Sequence, residues 1–326
     1  MIVYRLVLML FVAALAVSPA AFAQTERYPD RPIKLIVGYA PGGGTDIVAR
    51  LLAVKVGEDL GQPMVVENRA GASGIVAAGQ VAKAKPDGYT LMMGVVSLNT
   101  ILPNLQPSLP FDPVKDFAPV TLTGSVPHII VVHPSLPVHS VKELIAYAKA
   151  NPGVANFPSA GNGTTPHIAG ELFKHMAGVN LVHVPYKSSG QSIPDLIAGR
   201  VTVGFDTYPA AAPLVRAGQV RPIAVTSDRR LAEFPDLPTV EEAGLAGYRF
   251  ATWYGIFAPV GTPPAIVNKL HAAFNEAMQS PAIQQRLVEM GVDGTVTRSP
   301  EEFAAVVKTD LARFAKLVKE TGITIE

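Results

Sequence analysis

The chain of 326 residues contains no cysteine. Disulfides, thiolate metal sites, thiol nucleophiles and dithiol redox chemistry are therefore excluded. Nor does one sign of charge dominate: 27 Lys and Arg stand against 26 Asp and Glu, intermixed along the chain. Nothing resembles a basic nucleic-acid patch or a membrane-binding basic helix, so no nucleic-acid partner is expected. Beyond the N-terminus, no stretch reaches the ~18 uninterrupted apolar residues of a membrane span. The histidines (His128, His133, His139, His167, His175, His183 and His271) are scattered without metal-ligand spacing. Ser159 is no nucleophile elbow, because Phe157 and Gly161 do not complete G-x-S-x-G. No catalytic residue, metal or cofactor is expected.

The N-terminus carries a pattern of its own. Arg5 precedes an apolar run over residues 6–17, followed by Ser18, Pro19 and the triplet Ala21-Phe22-Ala23. A short apolar core with a small-residue cleavage site reads as a secretory signal, residues 1–23, rather than an anchor. An exported, periplasmic chain of about 300 residues is expected, long enough for two domains and for a core that needs no disulfides.

Short β-branched runs alternate with amphipathic stretches. Residues 33–37, 64–67 and 89–93 read as strands, and 46–60 and 74–84 as helices. The order implies an α/β fold with mostly parallel sheets flanked by helices. Residues 118–133 form a long β-rich run broken by Gly124 and Pro127, long enough for two strands on either side of a domain crossing. Residues 221–226 offer a second crossing. Two crossings give a discontinuous first domain, 24–124 plus 226–326, with a second, 125–225, inserted. Residues 140–150, 167–177 and 194–198 read as helices of the insert, and 264–279, 282–289 and 300–321 as C-terminal helices.

Three loops carry the chemistry. Gly38-Tyr39-Ala40-Pro41-Gly42-Gly43-Gly44-Thr45-Asp46 joins a strand to a helix. Its glycines free backbone N–H groups at a helix start, which suits an anion. It lacks the Lys-Ser/Thr of a P-loop, and Asp46 opposes a pyrophosphate. Anion binding and plain capping by Thr45 or Asp46 both fit it. The second loop, Ser159-Ala160-Gly161-Asn162-Gly163-Thr164-Thr165-Pro166-His167, gathers hydroxyls, an amide and free N–H groups before another helix. Such neutral donors can surround a carboxylate, or Thr164 or Thr165 can simply cap. The third loop, Tyr186-Lys187-Ser188-Ser189-Gly190-Gln191-Ser192, holds Lys187, which either steers anions or pairs at the surface. Its Ser188, Ser189 and Gln191 favour a ligand with a polar group or second carboxylate. Asp206, at a strand's end, either meets a ligand amine or hydroxyl or serves as a cap. Trp253-Tyr254 reads as core in preference to a ligand platform.

In this order and spacing, several segments resemble the Bug-type extracytoplasmic solute receptors of tripartite tricarboxylate transporters. They include Pro41-Gly42-Gly43-Gly44-Thr45-Asp46, Val66-Glu67-Asn68-Arg69-Ala70-Gly71-Ala72-Ser73-Gly74, Pro86-Asp87-Gly88-Tyr89-Thr90-Leu91, Val184-Pro185-Tyr186-Lys187 and Trp253-Tyr254-Gly255. The likeness covers essentially the whole mature chain. It implies a two-domain periplasmic binding protein fold, a clamshell closing on a small carboxylate: an amino acid, a di- or tricarboxylate, or an aromatic acid. Transporter membrane subunits would be the partners of a monomeric receptor; a sensory role is the alternative, and an α/β hydrolase or isomerase a remote one. The expected ligand-binding set is Tyr39, Gly42, Gly43, Thr45, Asp46, Ser73, Ser97, Ser159, Gly161, Asn162, Gly163, Thr164, Thr165, His167, Lys187, Ser188 and Asp206. The chain departs from the family pattern at Ser188-Ser189-Gly190-Gln191-Ser192, at Thr207 and at Ile75.

Overall fold

The computed structural model describes residues 28–231 and 233–325. The expected signal segment lies outside them. Strand β1 (Ile33–Val37) buries Ile33, Leu35, Ile36 and Val37 completely and exposes only Lys34, as its largely apolar sequence requires of a central strand. It pairs in parallel with β2 (Met64–Asn68) and β3 (Thr90–Val95). Helix α1 (Gly44–Leu60) joins β1 to β2 and buries Val48, Ala49, Leu52 and Val56 along one face. Gly61, at φ 68°, closes it in the left-handed conformation that favours glycine. Helix α2 (Ile75–Ala82) precedes β3. A π-helical turn (Ser97–Ile101) and the short α3 (Leu102–Leu105), absent from the sequence reading, follow it.

The β-rich run forms one strand, not two. β4 (Phe117–Val132) is 16 residues long. Its first part pairs antiparallel with β9 (Ala251–Pro259), and its last part with β7 (Val203–Thr207) and β8 (Arg221–Val225). At Gly124 the strand does not end but bulges: the register shifts between Leu122 and Ser125, with Gly124 at φ 99°. β4 thus passes through both lobes of the molecule. Its outgoing course lies beside the returning β9, and two neighbouring connections between the same lobes must run in opposite directions. The sheet is therefore mixed rather than mostly parallel, in the order β2-β1-β3-β9-β4-β7.

The second lobe contains α4 (Val141–Ala150), β5 (Asn156–Ser159), α5 (Thr165–Ala177), β6 (Val182–Pro185), α6 (Ser189–Ile197), β7, α7 (Tyr208–Arg216) and β8. β5 and β6 pair in parallel. Helix α6 starts at Ser189, ahead of the expected 194, with Pro194 inside it. Helix α7 was not expected, because Pro209 and Pro213 disguise it; Pro209 falls in the first turn, where a missing N–H costs nothing. Helices α8 (Pro264–Gln279), α9 (Pro281–Glu289) and α10 (Pro300–Thr321) return to the first lobe. Where β4 changes partners sits His128, fully buried. Its Nδ1 meets Phe205 O at 3.0 Å, and its Nε2 meets Thr252 Oγ1 at 2.7 Å. Burial pushes its pKa down to about 4, so it ties β4, β7 and β9 together as a neutral ring. No described helix is long and apolar enough to cross a membrane.

Candidate functional site

Two of the three loops lead straight into helices whose starts converge between the lobes. α1 begins at Gly44 with Gly43 as N-cap, and α5 begins at Thr165 with Thr164 as N-cap. Neither start has a side-chain cap. By contrast Ser140, Ser188 and Ser299 cap α4, α6 and α10 in the ordinary way. Helix α7, with Thr207 as N-cap, is a third uncapped start at the same place. Plain capping by Thr45, Asp46, Thr164 or Thr165 is thus not what these loops do. Their N-terminal N–H groups and the positive ends of their dipoles face a common space.

That space is a cavity of about 30 Å³, enough for roughly two water-sized centres. Tyr39, Gly43, Gly44, Thr45, Val95 and Tyr254 line it from the first lobe. Ala160, Thr164, Thr165, Pro166, Ser188, Ser189, Asp206 and Thr207 line it from the second. Asp206 is the one charged side chain in this lining, and no cation is among them. The lobes touch around it. Ser73 Oγ donates to Asn162 O, and Gly190 packs so tightly on Pro41 and Gly42 that a Cβ there would lie 2.7 Å from Pro41 O. At Gly44 a Cβ would run into Thr207 Oγ1 and lie 2.7 Å from the Tyr254 hydroxyl.

Of the expected set, Tyr39, Gly43, Thr45, Thr164, Thr165, Ser188 and Asp206 reach the cavity. The others stand behind it. Asp46, 4 % exposed, accepts from Gly42 N at 3.1 Å, Arg50 Nε at 3.0 Å and Asn68 Nδ2 at 2.8 Å. Burial alone would raise its pKa, but these bonds outweigh it and hold the carboxyl below the usual range. Asp46 therefore braces the glycine loop, and Gly42 is the donor it holds. Ser159 Oγ donates to Gly161 O at 3.1 Å and meets His183 Nε2 at 2.6 Å. Gly163 N donates to His167 Nδ1 at 2.9 Å, which places that ring's proton on Nε2. His167 stacks on His183 at 4.1 Å. Burial first, then each other's or Lys174's charge, pushes them to about 3 and about 4. Ser97 is fully buried beside Tyr39, off the cavity. Lys187 is exposed and off the cavity, and so is Gln191, whose Oε1 accepts from Lys187 N.

Asp206 lies within β7 rather than after it. Its Oδ1 accepts from Ser189 Oγ at 2.9 Å and from Thr207 N at 2.7 Å. Burial pushes its pKa up to about 6, against the pull of those bonds. The expected set lacks Gly44, Val95, Ala160, Pro166, Thr207 and Tyr254, which also line the cavity, while Ser189, read with Ser188 as a polar group near the ligand, lines it as well. Tyr254, fully buried in β9, does read as core, and only its hydroxyl betrays another use. A larger groove of about 1110 Å³ opens behind the lobe crossing, but it contains none of the expected residues. Its arginines are largely spoken for: Arg216 pairs with Glu233, Arg230 with Glu242, Arg249 with Glu241 and Arg313 with Asp310. Among the described residues no group of three His, Asp or Glu side chains could hold a metal.

Residues 48–323 match the family model described as "Tripartite tricarboxylate transporter family receptor". The chain belongs to this family of receptors. It is 36% identical to Protein BugT of Bordetella pertussis (strain Tohama I) over 318 residues, 97% of each chain. The structure of R. palustris Rpa4515 with adipate is similar at TM-score 0.88 and 39% identity, covering 91% of this chain and 99% of that one. The periplasmic binding protein BugD is similar at TM-score 0.87 and 34% identity, covering 92% and 100%. The Bug-type resemblance, the periplasmic binding protein fold and a receptor rather than an enzyme all follow, as the sequence motifs implied.

Proposed function

We propose that this receptor works in the periplasm, capturing a small carboxylate between its lobes and delivering it as a monomer to a tripartite tricarboxylate-type transporter. The observation that carries the proposal is the convergence of three uncapped helix starts, from both lobes, on one cavity without a cationic side chain. A carboxylate placed there receives backbone N–H groups and helix-dipole potential instead of a guanidinium clamp. The adipate bound to Rpa4515 supports a carboxylate as the ligand class. Donors come from both lobes, so only the closed arrangement satisfies the ligand on every side, and binding energy drives closure. Tyr39, Gly43, Thr45, Thr164, Thr165, Ser188 and Asp206 are the binding residues in this reading, with Asp46, Gly42, Ser73, Ser159, Gly161, Asn162, Gly163 and His167 supporting the loops.

The lobe division belongs to the same proposal: a discontinuous first lobe with the second inserted near residue 125. Residues 226–250 group better with the insert than with the first lobe. Val225 bridges Thr239, and Tyr248 Oη donates to Ala169 O at 2.8 Å. The return therefore comes at β9. Isothermal titration against a panel of mono-, di- and tricarboxylates, amino acids and aromatic acids tests the function. Saturable binding of at least one is the expected result; a blank panel refutes it. Native mass spectrometry of the freshly purified protein would identify a co-purified ligand directly.

A further inference from the structure

The receptor reading accounts for the helix starts but not for the polar groups opposite them. Tyr254 is fully buried and Thr207 is 5 % exposed, and both line the cavity. Their hydroxyls lie near each other, with Thr45 beside Tyr254 and Asp206 beside Thr207. Yet neither hydroxyl makes a well-formed hydrogen bond to protein. Leaving such a group buried and unpaired is unfavourable, so a ligand that pairs it gains affinity. The Ser189 Oγ and Thr207 N bonds of Asp206 both fall on Oδ1, which leaves Oδ2 as an open acceptor. Gly44 keeps the α1 start directly against these hydroxyls, since a Cβ would fill the gap.

A second carboxylate cannot answer this cluster, because it would set like charge against Asp206. A methylene cannot either, because it leaves the hydroxyls and the carboxylate unpaired. A hydroxyl donates to Asp206 and accepts from Tyr254 or Thr207. An ammonium donates to all three oxygens. The cavity is so small that this group must sit within a bond or two of the carboxylate bound at the helix starts. Resting on the receptor reading, we propose that the ligand is a carboxylate bearing a hydroxyl or ammonium on the adjacent carbon, and that Asp206, Thr207 and Tyr254 recognise that substituent.

Titration calorimetry at pH 7.5 with matched acids tests this: propionate against lactate and alanine, and succinate against malate and aspartate. At least one substituted acid is expected to bind about 10- to 100-fold more tightly than its unsubstituted counterpart. Tyr254→Phe and Asp206→Asn should each shrink that ratio several-fold, while Thr207→Ser, which keeps the hydroxyl, should preserve it. Thermal melts of each variant confirm folding. Equal binding within every pair overturns the inference and leaves the receptor reading intact, as does a ratio that survives both Tyr254→Phe and Asp206→Asn. If no acid binds, here or in the wider panel, the receptor reading falls and this inference falls with it.

Discussion

Gly44→Ala separates closure from folding. Gly44 opens α1 with ordinary helical backbone, so alanine is locally welcome and adds up to about 1 kcal/mol of helix preference. The difficulty lies across the cleft. The new methyl would sit 2.7 Å from the Tyr254 hydroxyl and nearer still to Thr207 Oγ1, where ordinary contact begins at 3.4 Å. Tyr254 belongs to the same lobe as Gly44 and can shift its ring only within a packed core. Thr207 belongs to the opposite lobe. Relieving the overlap therefore requires the lobes to part locally by about 1 Å, at the overpacking cost of about 1–3 kcal/mol. The Thr207 share of that cost, the closer of the two overlaps, falls on the closed state alone, while the Tyr254 hydroxyl shifts by a few tenths of an ångström in either state. Ligand affinity should drop about 5- to 150-fold, while the ligand-free melting temperature stays the same or rises. Titration calorimetry reads the first effect and differential scanning calorimetry the second. Unchanged affinity in Gly44→Ala would refute the cleft geometry. A lower melting temperature without ligand would show instead that the glycine serves folding.

Three further outcomes are expected. His128 is neutral when folded, with its pKa lowered to about 4 from 6.5, so its stabilising contribution is complete above pH 6.5 and is lost as pH falls towards 4. Urea melts should lose about 2 kcal/mol between pH 7 and pH 5 from this residue, with a correspondingly smaller loss in His128→Asn. Asp46→Ala leaves Gly42 N without its acceptor and Asn68 Nδ2 with Tyr39 O alone, and should cost about 1–3 kcal/mol in thermal or urea melts, with weaker binding because the glycine loop loosens. Lys187→Ala should change affinity less than about twofold by calorimetry, because the side chain is exposed and away from the cavity.

How much of this was legible in the sequence depended on which force set each element. β1, α1 and the three C-terminal helices follow hydrophobic period, and the sequence reading places them within a residue or two. α7 and the start of α6 escaped because Pro209, Pro213 and Pro194 look like breakers, yet tertiary packing holds the helices around them. β4 was divided at Gly124 because a glycine inside a strand signals an end and a bulge equally well. The two glycine loops announced themselves through residue type alone. Tyr254 and Thr207 could not, since nothing local separates a buried hydroxyl with a partner from one without. Asp46 shows the converse: it lies in the right loop, but its bonds to Arg50 and Asn68, four and 22 positions away, turn it from the ligand towards the scaffold.

β4 also bears on modularity. Its first stretch completes the sheet of one lobe and its last stretch the sheet of the other, with no tether between. A cut anywhere between Leu122 and His128 would leave one fragment without a sheet partner and the other with a bare edge, ready to pair with a neighbour. The lobes on this strand cannot be inherited, exchanged or expressed as separate parts without breaking it. Changes in what the cleft accepts must then arise residue by residue around a shared spine, not by trading lobes.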